Sequence, residues 1–445
     1  MVPTELYRLV MNHLFKSQGH HSIRNVLTTS SPHRALHSTC RRGTTAPSQA
    51  TTPSSSAPLE RPLLILGLES SADDTCAAVI SSDSALTQPR LLSNIVIRQP
   101  SHERFGGIHP LHAQHAHARN MPTAIQRALK EALITLEHLD GIAFTRGPGM
   151  MGCLSVACHS AKALGAATAK PLIGVHHMQA HALTPFLTSA IPPKFPFLTL
   201  LLSGGHTLLL FASSETEFKI LATTHDESIG ASFDKAARDL EIPWSLGAGS
   251  PGAALEAFAF PPRPNPTTST RTELTTSTDQ DLAPPPGVVP HFSQPFPRQL
   301  AFSFSGARSQ LDRIIADDPS MEEGRKRLLA RSFMQATVKQ VEDKVALALG
   351  MKEPRGMRDV KHLVVSGGVA SNSYLRTRLR EKLDDLDRQD IELVFPPPNL
   401  CTDNAAMIAN VGLSRLRRGR LDPLEVMPIA KWSIEECEKD FEDKH

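Results

Sequence analysis

The sequence is poor in the features that mark several protein classes. Its 445 residues include only six cysteines, and no two of them have the CxxC spacing. This scarcity argues against a disulfide scaffold or a zinc ribbon and suits a reducing compartment. No apolar run approaches the ~20 residues that span a bilayer, which excludes a membrane-spanning protein and predicts no membrane partner. A Walker phosphate loop, GxxxxGKS or GxxxxGKT, is also absent.

What is present is the composition of a globular protein with more than one domain. Apolar residues make up 40% and charged residues 21% of a chain too long for one compact core. Residues 1–58 carry six basic side chains and one acidic side chain, so the rest of the chain has a net charge of −3. A body so close to neutral is not typical of a nucleic-acid-binding protein, so contacts with nucleic acid must rest on local patches. The densest basic run is Arg415, Arg417, Arg418 and Arg420.

Two segments have low-complexity composition. Residues 1–58 are rich in Ser, Thr and Arg, which predicts a mitochondrial transit peptide followed by a linker; the alternative is a disordered tail. Residues 260–297 hold ten prolines and a run of Thr and Ser. Such a segment cannot bury enough apolar surface to offset its ordering entropy, so we expect a disordered surface insert without a catalytic role.

The remaining sequence alternates short apolar runs with helical patterns. The predicted strands are Leu63–Leu68, Ile142–Thr145, Leu172–Val175, Leu198–Leu202, Leu208–Phe211, Leu363–Val365 and Ile391–Phe395. The predicted helices are Ala124–Leu136, Leu154–Ala167, Phe233–Leu240, Lys326–Leu349, Tyr374–Leu386 and Asn404–Leu416. This alternation predicts an α/β fold with layers around a mainly parallel sheet.

A Ser-Gly-Gly turn follows two of the predicted strands. One lies in the sequence Leu201, Leu202, Ser203, Gly204, Gly205, and the other contains Gly367 and Gly368 and leads through Asn372 into a helix. Glycine lets backbone N–H groups approach an anion that a Cβ atom would exclude, and a helix N-terminus favours phosphate. Each turn alone is a weak signal, but two at matching positions predict a phosphate or nucleotide site.

Carboxylates and hydroxyls cluster where the first strand ends. Glu69, Asp73 and Asp74 alternate there with Ser70, Ser71 and Thr75. Such groups can bind a metal–phosphate or accept a proton. The alternative is a solvated turn, which the residue types alone favour.

Histidines at helical spacing predict a metal site. His177 and His181 share one face if their segment is helical, as chelation requires, and Asp403 at a predicted helix start offers a third ligand. A zincin peptidase is disfavoured because Met178 stands where its glutamate base belongs. Asp403 taken alone would be interpreted as a helix N-cap. Three further histidines, at 112, 115 and 117, are interpreted as a solvated or packed helix face.

Eight motifs in a fixed order carry a resemblance to one family. They are Glu69–Thr75, Arg146–Gly149, His176–His181, Leu202–Thr207, Ser232–Ala236, Phe302–Gly306, Gly367–Asn372 and Cys401–Asn404. With these motifs the chain resembles the tRNA threonylcarbamoyladenosine synthases, formerly called O-sialoglycoprotein endopeptidases. The transit-like leader makes it similar to the mitochondrial branch of that family.

The resemblance implies a fold, a reaction and partners. The fold is actin-like, as in sugar kinases and Hsp70, with two α/β lobes around a central cleft. Residues 61–190 form the first lobe, completed by 400–432, and 195–399 form the second. The reaction transfers threonylcarbamoyl from threonylcarbamoyl-adenylate to N6 of the adenosine 3′ of the anticodon in tRNAs reading ANN codons, and it releases AMP. The implied partners are tRNA and the adenylate from a separate synthase, for a homodimer in the mitochondrial matrix.

The same resemblance implies roles for individual residues. One divalent metal ion per subunit, whether zinc, iron or magnesium, is expected on His177, His181 and Asp403. The adenylate is expected to contact the two Gly-Gly turns and four further positions, namely Asp234, Asn372, Gly249 and Ser250. The last two are the best match to a glycine-rich turn that is longer and altered in this chain.

The chemistry of the transfer requires a group that accepts the proton of the attacking amine. Asp73 is the first choice and Asp74 the second. Two other functions remain open from the sequence: an ATPase or kinase of the same fold, and a scaffold that binds nucleotide without catalysis. Metal analysis separates the first from the transferase, and a turnover assay separates the second.

Overall fold

The computed structural model describes residues 61–82, 88–99, 108–244, 250–261 and 290–439. These residues belong to one compact unit, Leu59–His445. The predicted transit peptide and linker, residues 262–289 of the predicted insert, and Gly249 lie outside the described residues. The end of the predicted insert, residues 290–297, was wrongly included in it, because Phe292 is buried in the core and the Phe296 carbonyl oxygen accepts a hydrogen bond from Lys344.

The first half of the chain builds a five-stranded mixed sheet in the order β3-β2-β1-β4-β5. Strands β1, β2 and β3 form an antiparallel meander, whereas β4 and β5 add in parallel to the other side of β1. The strands are β1 Leu63–Glu69, β2 Thr75–Ser82, β3 Arg90–Ile97, β4 Gly141–Gly147 and β5 Leu172–His176.

The second half builds a sheet of the same topology, in the order β10-β9-β6-β7-β8. Here β6, β7 and β8 form the antiparallel meander, and β9 and β10 add in parallel. The strands are β6 Phe197–Leu202, β7 Thr207–Ala212, β8 Phe218–Thr223, β9 His362–Ser366 and β10 Glu392–Val394. Two sheets of equal order, each with helices between its strands, confirm the predicted α/β fold class.

Helices connect and cover the strands of both sheets. They are α1 Pro110–Glu131, α2 Met151–Thr168, α3 His177–Leu183, α4 Pro185–Thr188, α5 Ile229–Asp239, α6 Pro251–Ala259, α7 Ser305–Asp317, α8 Glu323–Leu349, α9 Ser373–Asp385, α10 Pro398–Cys401 and α11 Ala405–Arg417. Within the described ranges, none of these helices combines the length and apolar character needed to cross a membrane.

Two sequence predictions about the strands and helices are wrong. The sheets are not mainly parallel, because the strands β2, β3 and β8 escaped prediction and each of them pairs antiparallel. The predicted helix Ala124–Leu136 is also misplaced, since α1 begins at Pro110 and ends at Glu131. Pro122 inside this helix, together with the polar residues before it, obscured its first half.

Helix α11 returns late in the chain to pack on the first sheet. An added Cβ at Gly67 of β1 would lie 2.3 Å from the carbonyl oxygen of Ala405, and one at Gly412 of α11 would lie 2.4 Å from the Ala143 side chain. These glycines permit a close approach of helix and sheet. We therefore propose that residues 400–432 complete the first lobe, as the sequence suggested.

The two sheets share apolar contacts through α3 and α11. One buried cluster contains Ile65 and Ile173 of the first sheet together with Leu210 and Val364 of the second. Helix α3 contacts β5 and α11 and also β6 and β9 of the second sheet. Residues on α3, and those immediately before α11, are therefore held where the two sheets meet.

Candidate metal centre and nucleotide site

Helix α3 carries two of the predicted metal ligands. It starts directly after β5, and His176 caps it by accepting the backbone N–H of Gln179 on its ring. Every residue of the helix is buried. His177 and His181 stand one turn apart with ring centroids 4.7 Å from each other, so the helical spacing inferred from the sequence is the observed one.

Asp403, which precedes α11, completes the cluster. Its Oδ1 atom lies 3.0 Å from Nε2 of His181 and 3.4 Å from Nε2 of His177. One nitrogen or oxygen atom from each of the three residues lies within 4.8 Å of the others. The N-cap interpretation of Asp403 is not the observed arrangement, because Asn404 caps α11 instead.

A fourth residue, Glu69, fixes the orientation of His177. It is wholly buried at the end of β1, and its Oε2 accepts a hydrogen bond of 2.9 Å from Nδ1 of His177. The Thr145 hydroxyl and the Ser71 backbone N–H also donate to this carboxylate. Nδ1 of His177 is thereby occupied, and Nε2 faces Asp403. Histidines that bind metals usually have their second ring nitrogen hydrogen-bonded in this way.

In the sequence, Glu69 falls in one group with the acids of the following turn, and no separate role was predicted for it. The sequence signal for a separate role of Glu69 is its position as the last residue of an otherwise apolar strand. A glutamate there is buried by the strand and must find partners inside the protein.

Electrostatics at the cluster favour a cation. Burial alone would lower the pKa of His177, but the charges of Glu69 and Asp403 raise it to about 10. Burial alone would raise the pKa of Asp403, and the charge of His177 instead holds it well below its usual range. The two carboxylates that favour a proton on His177 would equally favour a divalent ion that displaces it.

The donor set fits a bound metal. Two imidazoles and one carboxylate are the protein ligands of open catalytic sites that keep a coordination position for another molecule. Nδ1 of His181 is buried and has no hydrogen-bond partner among the described residues. No other group of three or more potential ligands occurs in the described ranges.

His117 anchors the turn that carries Asp73 and Asp74. It is wholly buried, with Nδ1 2.8 Å from the Thr75 hydroxyl and Nε2 3.1 Å from the carbonyl oxygen of Ala72. The expected helix face is therefore divided: His117 is buried, while its neighbours at 112 and 115 are exposed.

Asp74 has an altered acidity in this turn. Burial, with the charge of Asp73 as the second cause, raises the pKa of Asp74 to about 7. Both carboxyl groups follow β1, the strand that ends in Glu69. The turn thus holds a half-buried acid pair on the strand whose last residue supports the metal cluster.

The first Gly-Gly turn meets the N-terminus of α5. The Ser228 hydroxyl caps this helix and donates to the carbonyl oxygen of Gly204 at 2.6 Å. An added Cβ at Gly230 would lie 2.6 Å from the Ser203 carbonyl oxygen, so this close contact requires glycine. Gly230 was not among the residues predicted from the sequence. At Gly204 and Gly205, an added Cβ would have no atom of the described residues within 4 Å.

The second turn lies beside the first and beside the metal cluster. Leu201 of β6 pairs with Ser366 of β9, so both turns leave the same end of one sheet. Gly367 has a φ of +96°, and its added Cβ would lie 2.4 Å from the Leu202 carbonyl oxygen. An added Cβ at Gly368 would lie 3.8 Å from the methyl group of Thr402, the residue before Asp403.

The other described residues predicted to contact the nucleotide each interact with the start of a helix. Asp234 on α5 accepts the Gly252 backbone N–H at 2.8 Å, so it adjoins the turn that begins α6. Ser250 caps α6 with its hydroxyl. Asn372 is buried and caps α9, its Oδ1 accepting the backbone N–H of Leu375 at 2.8 Å. The side chains of Asp234, Ser250 and Asn372 therefore already hold helix starts.

Comparison with known proteins gives one family. A family model described as tRNA N6-adenosine threonylcarbamoyltransferase matches residues 90–410. The mitochondrial tRNA N6-adenosine threonylcarbamoyltransferase of Schizosaccharomyces pombe is 38% identical over 382 residues, which cover 84% of this chain and 87% of that protein. The enzyme of the same name from Bartonella bacilliformis is 36% identical over 379 residues, covering 84% and 95%.

Two solved structures show a more distant similarity to the chain. HypF from T. kodakarensis is 13% identical with a TM-score of 0.46, covering 81% of this chain and 48% of that chain. A ROK hexokinase from Thermus thermophilus is 17% identical with a TM-score of 0.38, covering 80% and 100%.

Proposed function

Because this chain belongs to the tRNA N6-adenosine threonylcarbamoyltransferase family, we propose that its metal cluster and glycine turns act together on threonylcarbamoyl-adenylate. The protein is an acyltransferase that modifies tRNA. The acceptor in the proposal is N6 of the adenosine 3′ of the anticodon in tRNAs reading ANN codons, and AMP is the leaving group.

The observation that carries the proposal is the convergence at Asp403. Its carboxylate lies within reach of two imidazoles, and its neighbour Thr402 lies against the second glycine turn. A metal ligand close to a turn that would bind phosphate suits one substrate that has both a threonyl carboxylate and a phosphate.

His177, His181 and Asp403 would hold the metal. When bound there, a divalent ion supplies positive charge that can orient the threonyl carboxylate or polarise the carbonyl. Glu69 keeps Nδ1 of His177 occupied, so that only Nε2 is offered to the cluster. The donor set does not distinguish zinc, iron and magnesium, since metal availability also decides occupancy.

The glycine turns would bind the phosphate of the adenylate. Gly204 and Gly205 border open space, so an anion can approach their backbone N–H groups without meeting a side chain. Fixing the phosphate restricts the substrate to a reactive orientation and stabilises the charge that grows on AMP as the bond to it breaks.

The acid pair would accept the proton of the reaction. The N6 amine forms a bond to the carbamoyl carbon, the bond from that carbon to the phosphate oxygen breaks, and AMP departs with the electron pair. The amine proton passes to Asp73, our first choice, with Asp74 as the second. Asp74 has a pKa of about 7, so it can take up or release a proton near neutral pH.

The proposal extends to the partners and the compartment. The adenylate comes from a separate synthase, the subunit forms a homodimer, and the reaction takes place in the mitochondrial matrix. Support for the compartment is the mitochondrial relative from fission yeast and the basic, acid-poor composition of residues 1–58.

A reconstituted assay tests this function. Labelled threonine, bicarbonate, ATP, an adenylate-forming synthase and tRNA are incubated with the metal-loaded protein, and label in tRNA is counted. We expect incorporation that depends on both the protein and an ANN-reading tRNA. Consumption of ATP without label in tRNA would favour the kinase or ATPase alternative, and nucleotide binding without turnover would favour the scaffold.

A further inference from the structure

An exposed arginine lies beside the acid pair. Strand β3 pairs antiparallel with β2 as far as Ile97, which stands opposite Thr75. The next residues on the two strands are Arg98, which is exposed, and Asp74, so the register places the two side by side. We propose that Arg98 binds a backbone phosphate of the tRNA, next to the adenosine that is modified. The proposal rests on the proposed function in one respect, the position of that adenosine at the acid pair.

The charges around Asp74 show what the arginine does there. Burial is the largest cause of the raised pKa of Asp74. Three carboxylates raise this pKa further, and the charge of Arg98 lowers it; the three are those of Asp73, Asp403 and Glu69. A phosphate that approached these acids alone would be repelled. Arg98 supplies positive charge at this point, in a body whose net charge is −3.

Arg98 is available for a contact with an anion. No hydrogen bond or ion pair joins it to another residue in the described ranges, so its charge acts on Asp74 only across a longer distance. A guanidinium carries its N–H donors in a planar fork that matches two oxygen atoms of a phosphate. Because the side chain is exposed, ordering it costs entropy, and the contact adds to the affinity of a larger ligand rather than forming a site alone.

The tRNA backbone fits this position better than the adenylate does. The glycine turns proposed for the phosphate of the adenylate follow β6 and β9 of the second sheet, whereas Arg98 follows β3 of the first. An adenosine within tRNA has a phosphate on each side, so an amine that reaches the acid pair brings a phosphate close to it. Contacts with phosphates fix the position of a nucleic acid without reading its sequence. Arg98 is therefore a positioning residue for the acceptor.

Binding of an ANN-reading tRNA to the metal-loaded full chain tests the site. Arg98→Ala should raise the Kd about fivefold and reduce the slope of log Kd against log salt concentration by about one, the contribution of a single phosphate contact. Arg98→Lys keeps the charge and should restore most of the slope. The matched control is Arg90→Ala, which removes an exposed arginine about 25 Å away at the other end of β3 and should change neither quantity. Equal Kd and slope in Arg98→Ala and Arg90→Ala would overturn the proposal.

The pH profile separates phosphate binding from an effect on acidity alone. Because the charge of Arg98 lowers the pKa of Asp74, its loss should move the rise in transfer rate near neutrality to higher pH. If the profile moves while the Kd and the salt slope for tRNA stay at their unaltered values, Arg98 acts on Asp74 alone and the proposal is wrong. The binding measurement needs no turnover, whereas the profile depends on the proposed role of the acid pair, so the two failures are distinguishable.

Discussion

At the scale of single residues, we propose that Asp73 and Asp74 act most directly on the chemistry. Burial and the charge of Asp73 raise the pKa of Asp74 to about 7, so Asp74 is protonated in acid and ionises as the pH passes neutrality. Once Asp74 is charged, it opposes a second negative charge nearby and makes Asp73 the stronger base. The acid pair should therefore be more effective above pH 7 than below it.

We predict that single-turnover transfer rises as the pH increases through about 7. Asp73→Asn should lower the rate by about 100-fold or more, because the proton acceptor is lost. Asp74→Asn should retain transfer but lose the rise near pH 7. Rapid-quench assays of labelled tRNA from pH 5.5 to 8.5 (~0.5-unit steps) measure both effects.

The control for this pair is Asp385→Asn, an exposed acid at the end of α9, which should leave rate and pH profile unchanged. Full transfer by Asp73→Asn would remove Asp73 from the mechanism. An unaltered profile in Asp74→Asn would assign the step near pH 7 to another group.

At the scale of elements, the two glycine turns have different requirements. Gly367 has a positive φ and almost touches the β6 backbone, so its need for glycine is conformational. Gly204 borders open space, so any need for glycine there must come from a ligand. Glycine thus serves the fold at position 367 and, in our proposal, the approach of the substrate at position 204.

Alanine substitutions separate these two requirements. Gly367→Ala should lower the free energy of unfolding by about 1–3 kcal/mol, because its φ and its contact with Leu202 both become unfavourable. Gly204→Ala should change stability by less than about 0.5 kcal/mol and yet weaken AMP binding. Urea unfolding and calorimetric titration with AMP measure the two quantities.

Gly324→Ala on α8 serves as control, because its added Cβ also meets no atom of the described residues within 4 Å. AMP binding should not change, and stability should stay the same or rise by up to about 1 kcal/mol, because alanine favours a helix over glycine. If Gly204→Ala bound AMP as tightly as the unaltered protein, the first turn would not be a phosphate site.

Much of this element-scale arrangement was accessible from sequence. Apolar runs predicted seven of the strands, and the spacing of His177 and His181 predicted a shared helix face. The strand β2 was missed because its alanines and serines lack the pattern of branched residues, and β8 because only two of its six residues are buried. The end of an apolar strand signals that Glu69 is buried, but its partner His177 is distant in the chain and could not be predicted. The need for glycine at position 230 could not be predicted either, since it depends on a close backbone approach.

At the scale of the whole molecule, the two sheets of equal topology explain the location of the site. Each sheet contributes residues after its parallel strands, and α3 and α11 bring the contributions together. His177 follows β5 of the first sheet, whereas Gly367 follows β9 of the second. A site built this way depends on both halves of the chain.

The leader should be separable from this body. We predict that residues 1–58 direct a fluorescent reporter to mitochondria, because their basic, acid-poor composition is typical of a transit peptide. Residues 59–445 expressed alone should fold and transfer threonylcarbamoyl at the rate of the full chain. Microscopy of the fusion and the turnover assay are the measurements. A cytosolic reporter would contradict the targeting prediction, and an inactive 59–445 fragment would show that the leader contributes to catalysis.

The metal content of the purified protein decides whether two imidazoles and one carboxylate hold a catalytic cation. Mass spectrometry of the elements should find about one divalent metal per subunit in the unaltered protein and in the exposed-histidine variant His112→Ala. His177→Ala, His181→Ala and Asp403→Ala should each lose the metal together with tRNA modification. Metal retained at the same level in all three variants, or full transfer by protein without metal, would rule out a catalytic cation at these three residues.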